Sequence, residues 1–183
     1  MALPLAKKFE VENCFLVLPI QKPEIPDRIR KEAERQGMVE KGEVHISVAV
    51  TKNATRIREI ISKSSSPDNL KKSIASLFES FSWEYAFIDE YYLQENFYSQ
   101  LELTAQGYPS DSPEHTRRTI VQKVASPDLP IFYAQLSNLL GNELPVPVPH
   151  VTLFSWSDDP SFMTRGIGVS SEEDFRNYSR GML

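Results

Sequence analysis

With 183 residues, 40% of them hydrophobic and 25% charged, the chain has the composition of an ordinary folded domain and lies far from that of a disordered one. No apolar run approaches the roughly 20 residues needed to cross a bilayer, which excludes an integral membrane protein built on helices. A net charge of −5 argues against a broad basic face that coats long nucleic acid, and the single cysteine, Cys14, forbids an intrachain disulfide and a multi-cysteine zinc site.

Met1 to Lys8 places two lysines after a short apolar stretch, the reverse of an export signal, so a cytoplasmic setting is expected. Cys14 to Ile20 reads as a short buried strand. After a loop with Pro23 and Pro26, Asp27 to Gln36 is rich in helix formers and is stopped by Gly37. Val44 to Val50 is β-branched and alternating, a strand. Helices are expected around Ala54 to Lys63 and from Pro67 to about Phe81, where Leu70, Ile74, Leu77, Phe78 and Phe81 recur at helical spacing. Trp83 to Leu93 and Phe97 to Thr104 read as two strands of a hairpin turning at Gln94-Glu95-Asn96. Gly107 to Glu114 is a loop and Arg118 to Val124 a strand. Asp128 to Leu140 is an amphipathic helix ended by Gly141. Pro145, Pro147 and Pro149 lead stiffly into His150 to Trp156, the last strand, and Ser171 to Tyr178 is a short capped helix. Strands and helices mix without a βαβ rhythm, so the expected class is α+β with mostly antiparallel sheets.

Each half of the chain carries one strand with the pattern His-x-(Ser/Thr): His45-Ile46-Ser47 and His150-Val151-Thr152. Side chains alternate faces along a strand, so each strand presents an imidazole and a hydroxyl on one face and apolar residues on the other. One such pattern would carry little information. Two of the three histidines in the chain show it, both in alternating segments. Imidazoles exchange protons near neutral pH, and hydroxyls donate hydrogen bonds to phosphate oxygens. Two such strands face to face would supply an acid, a base and two oxygen-binding groups to a phosphodiester, and that chemistry requires no metal.

The paired motifs resemble those of the 2H phosphoesterase superfamily, which is named for two His-x-(Ser/Thr)-x elements. The resemblance runs from about Cys14 to Trp156, and its specific part is the two motifs; Ser47 stands where threonine is commoner. It implies a bilobal α+β fold with mostly antiparallel sheets, outer helices, pseudo-twofold symmetry and a central cleft. Residues 1–183 would form one such domain, with the C-terminal tail 157–183 as a cap or interaction element. It further implies that His45 and His150 are the acid–base pair and that Ser47 and Thr152 hold the phosphate. Which imidazole is acid and which is base stays open.

Outside the motifs, a straight last strand would put Phe154 and Trp156 on the face of His150 and Thr152, either as a wall for base stacking or as core or rim packing, the reading that suits Phe154 better. Arg117 or Arg118 would reach the cleft side, and Arg117 is the candidate phosphate contact. Tyr108, in the Gly/Pro loop, is a candidate lid over the substrate or a surface anchor. His115 lacks the motif and reads as a solvated loop histidine, and Cys14 as a core residue.

The expected activity is cleavage of a 2′,3′-cyclic phosphate, a 2′-5′ linkage or a small cyclic nucleotide or oligonucleotide. The partner would be a nucleotide, a cyclic oligonucleotide or an RNA terminus, bound by a monomer. No metal, no cofactor, no long duplex nucleic acid and no membrane are expected. The alternative is a catalytically silent module that holds a nucleotide or phosphorylated ligand in the same cleft.

Overall fold

A computed structural model describes residues 8–10 and 14–183; all of the opening segment except Lys8 lies outside them. The elements in chain order are β1 (Lys8–Glu10), β2 (Phe15–Ile20), α1 (Asp27–Arg35), β3 (Val39–Glu40), β4 (Val44–Ala49), α2 (Thr51–Lys63) and α3 (Pro67–Ser80). There follow β5 (Ala86–Tyr98), α4 (Gln100–Ala105), β6 (His115–Ala125), α5 (Asp128–Leu140) and β7 (His150–Ser157). A 3-10 turn at Pro160–Phe162, α6 (Glu172–Tyr178) and β8 (Ser179–Met182) complete the chain. The class is α+β.

The strands form one sheet in the order β1-β2-β4-β7-β6-β5-β8, with β3 also against β7, and every pairing among the described residues is antiparallel. One face is covered by α1, α2, α3 and α5, whose apolar stripes meet the inward side chains of β2, β4, β6 and β7 in a single core. Phe78, Trp83 and Phe132 cluster at its centre, with ring centroids 5.1–6.1 Å apart. Gly141 ends α5 in the left-handed conformation, φ 62°, where a side chain would be strained. Among the described residues no helix is long and apolar enough to cross a membrane.

The middle of the chain corrects the expected hairpin. Ala86 to Tyr98 is one continuous strand, and Gln94, Glu95 and Asn96 pair in register with Thr119, Arg118 and Arg117. Gln94 and Asn96 lie on one face of the sheet with Thr119 and Arg117, and Glu95 lies on the other beside Arg118; none of them marks a turn. The segment expected to be the second strand instead becomes α4, because Ser99 and Glu102 form a reciprocal capping box that satisfies the first free N–H groups of a helix. The edge strands β1 and β8 were not foreseen either: three or four residues with no apolar alternation owe their extended form to the neighbour that they pair with.

Candidate functional site

The two motif strands are neighbours. Ile46 of β4 pairs with Val151 of β7, antiparallel. Extending that register by one residue in each direction sets His45 opposite Thr152 and Ser47 opposite His150. Paired residues share a face, so the four motif side chains form a square, with imidazole and hydroxyl alternating around it. Ile46 and Val151 point the other way, into the core. The charge of His45 is felt at His150.

The two imidazoles have different surroundings. His45 is exposed, whereas His150 is only 6% exposed. The His150 ring meets Phe175 of α6 edge-on, centroids 6.0 Å apart. Its Nδ1 lies 2.8 Å from the carbonyl oxygen of Val148. A carbonyl only accepts, so Nδ1 carries the proton and Nε2 keeps its lone pair. Burial pushes the pKa of His150 below its ordinary value, the facing His45 adds to the effect, and the Val148 carbonyl partly opposes it. Lys123 pairs directly with His150 across β6 and β7, and its ammonium is held 2.9 Å from Glu90.

Phe154 and Trp156 do not join this face. A bulge in β7 opposes Val121 to Thr152 and Ile120 to Phe154, leaving Leu153 as the extra residue. The alternation therefore slips by one. Phe154 turns into the core beside Ile120; Trp156, two residues on, shares its side, where the Arg118 guanidinium lies 4.2 Å from its ring and donates to Gln36 at the end of α1. The straight strand expected from the sequence fails at this bulge; of the two readings for Phe154, core packing holds and the stacking wall does not.

Arg117 does lie on the motif face, but deep. It is 4% exposed, sandwiched between the rings of Tyr98 at 4.2 Å and Phe162 at 4.6 Å. Its Nε donates to His115 Nε2 at 2.9 Å. His115 is thus a buried structural residue and not a solvated one: it is 1% exposed and stacked on Phe162 with centroids 3.9 Å apart. Tyr108 packs edge-on against Phe162, at 5.5 Å, as a wall of this cluster.

The tail covers the motif face. From Met163 to Ser171 it runs as a strap across the sheet. Ser155 Oγ donates to the Met163 carbonyl at 2.9 Å, Arg117 Nη1 to that of Gly166 at 3.3 Å, and Ser170 Oγ to that of Val50 at 3.1 Å. Val169 and Phe175 bury against Val121 of β6. A Cβ on Gly166 would sit 3.4 Å from Thr152 Oγ1, so the strap backbone lies directly against a motif hydroxyl. Cavities open on both sides of the strap. One, about 380 Å³, is lined by His45, Lys41 and Thr164. The other, about 290 Å³, is lined by Lys52 and Arg56 of α2, Tyr98, Tyr178 and Gly168. His150 lines neither.

Lys123, Thr119 and Gln94 belong to the same face and escaped the sequence reading. Parity held the signal for the first two: with Arg117 on the motif face, Thr119 and Lys123 follow at even spacing. Gln94 was hidden by its assignment to a turn. The chain was compared with protein-family models, with curated proteins and with solved structures, and none of the three gives a match.

Proposed function

We propose that the chain is a phosphodiesterase of the 2H type, using two imidazoles as proton carriers on a 2′,3′-cyclic phosphate, a 2′-5′ linkage or a small cyclic oligonucleotide. The observation that carries this reading is the cross-strand square set by the Ile46–Val151 pair. A binding module needs donors for an anion; it has no use for two imidazoles set diagonally between two hydroxyls.

In the proposed reaction Ser47 and Thr152 donate hydrogen bonds to the non-bridging oxygens of one phosphate. His150, held neutral by burial and with its Nε2 lone pair free of the Val148 bond, takes the proton from the attacking water. The water oxygen bonds to phosphorus as the bond to the leaving ribose oxygen breaks. His45, at the exposed end of the square, gives its proton to that oxygen. The strap must lift for a phosphate to reach His150, so turnover includes an opening step.

His45→Ala and His150→Ala should each lower turnover by about 10²–10⁴-fold, the usual share of a general acid or base, with the fold kept. A panel of cyclic phosphates and 2′-5′ dinucleotides assayed in EDTA measures this. Full activity in both variants would remove the assignment. The burial of His150 under α6 favours one other reading, a module that binds a phosphorylated ligand without turning it over. Saturable binding with no product from any member of the panel would decide for it.

A further inference from the structure

The polar face of the sheet continues beyond the motif square. Gln94 of β5 and Thr119 of β6 oppose each other directly, and both are fully buried. Arg117 stands in the next row. Both polar atoms of the Gln94 amide, the Thr119 hydroxyl and Arg117 Nη2 have no hydrogen-bond partner among the described residues. Buried polar groups are nearly always paired. Three neighbouring exceptions on one face, with Arg117 bonded to the strap, form a cluster of groups that a ligand could satisfy.

The chemistry of that place is specific. Arg117 pairs with no carboxylate among the described residues; its guanidinium donates to His115 and to the carbonyl oxygen of Gly166. Gly166 also lies against Thr152. One peptide of the strap thus touches both a motif hydroxyl and the buried guanidinium, presenting a carbonyl oxygen to the latter. Arg117 Nη2, the Thr119 hydroxyl and the Gln94 amide nitrogen are N–H and O–H donors, the set that a phosphoryl group accepts from, and the Gln94 carbonyl adds one acceptor for a sugar hydroxyl. Thr119 is two residues along β6 from Val121, the partner of Thr152. Two residues of strand span about 7 Å, the length of one nucleotide of backbone.

We propose that Arg117, Thr119 and Gln94 form a second anion subsite for a phosphate next to the one held at the motifs, and that the Gly166 peptide occupies it as a removable stand-in. The favoured ligand is therefore a nucleotide ester with at least two phosphates, which displaces the strap as it binds. The inference rests on the phosphodiesterase reading for the position of the first phosphate only.

Calorimetric affinities for ApA and for its 5′-phosphorylated form pApA, in 2′-5′ linkage and measured on His45→Ala to suppress turnover, test it. With Arg117 intact, pApA should bind more tightly than ApA, by about tenfold or more for the added charge-assisted bonds. Arg117→Met should erase that preference. Thr119→Val removes an unpaired hydroxyl while keeping the shape, so it should raise Tm and weaken pApA but not ApA; it serves if the arginine variant does not fold. Amide exchange over residues 163–171 should speed up with pApA bound. Equal affinities for the two ligands, no binding of either, or a preference that survives Thr119→Val with Tm lowered, as for a side chain hydrogen-bonded to buried water, each overturns the subsite. Inactivity towards every substrate would remove the phosphodiesterase reading and leave this affinity ratio to stand or fall by itself.

Discussion

His150 enters the folded protein without water around it, and this makes a stability signature. Its folded pKa lies below the unfolded value of 6.5. The unfolded chain therefore binds a proton more readily, and stability rises with pH through the window below 6.5. The contribution is complete above that value and is lost as pH falls towards the folded pKa. Urea unfolding of His150→Gln at pH 5 and at pH 7.5 should show a smaller difference between the two than the parent chain does. An equal or larger difference would mean that His150 titrates as an exposed group. Phe154 offers a second test at this scale. As a core residue it should cost about 3–5 kcal/mol of stability when replaced by alanine. As a base-stacking residue it would cost affinity for nucleotides and leave Tm almost unchanged.

At the scale of elements, the sequence and the structure part company where local pattern meets its neighbours. β4 and α5 were legible because each repeats its period without interruption: Val44, Ile46 and Val48 alternate, and Leu129, Phe132, Leu136 and Leu140 recur at steps of three or four residues. The bulge at Leu153 was not legible, since nothing in Val-Thr-Leu-Phe marks where a partner strand will skip a residue. β5 was misread because polar residues inside a strand imitate a turn when the strand lies on a polar face. α4 was written in Ser99 and Glu102 but was masked by the aromatic run before it. Ser99→Ala should remove the capping box and cost about 1 kcal/mol in denaturant unfolding. No loss there would mean that tertiary contacts alone hold that turn.

At the scale of the whole molecule, the chain brings together two segments far apart in sequence at the thin seam between β4 and β7, then folds its own tail over the result. The four motif positions could be read in advance because their pattern repeats; their placement in one square could not, since it depends on strand order and register. The tail before its capped helix had no pattern, and its role as a strap follows from the hydrogen bonds of Ser155 to Met163 and of Arg117 to Gly166. The central claim is that His45 and His150 serve one bound phosphate. The most direct measurement is a titration of the ¹⁵N-labelled imidazoles with 2′-AMP, followed by NMR. The account predicts that Nε2 of both His45 and His150 shifts with one common midpoint. A His150 signal that stays fixed while His45 moves, or two separate midpoints, would contradict it.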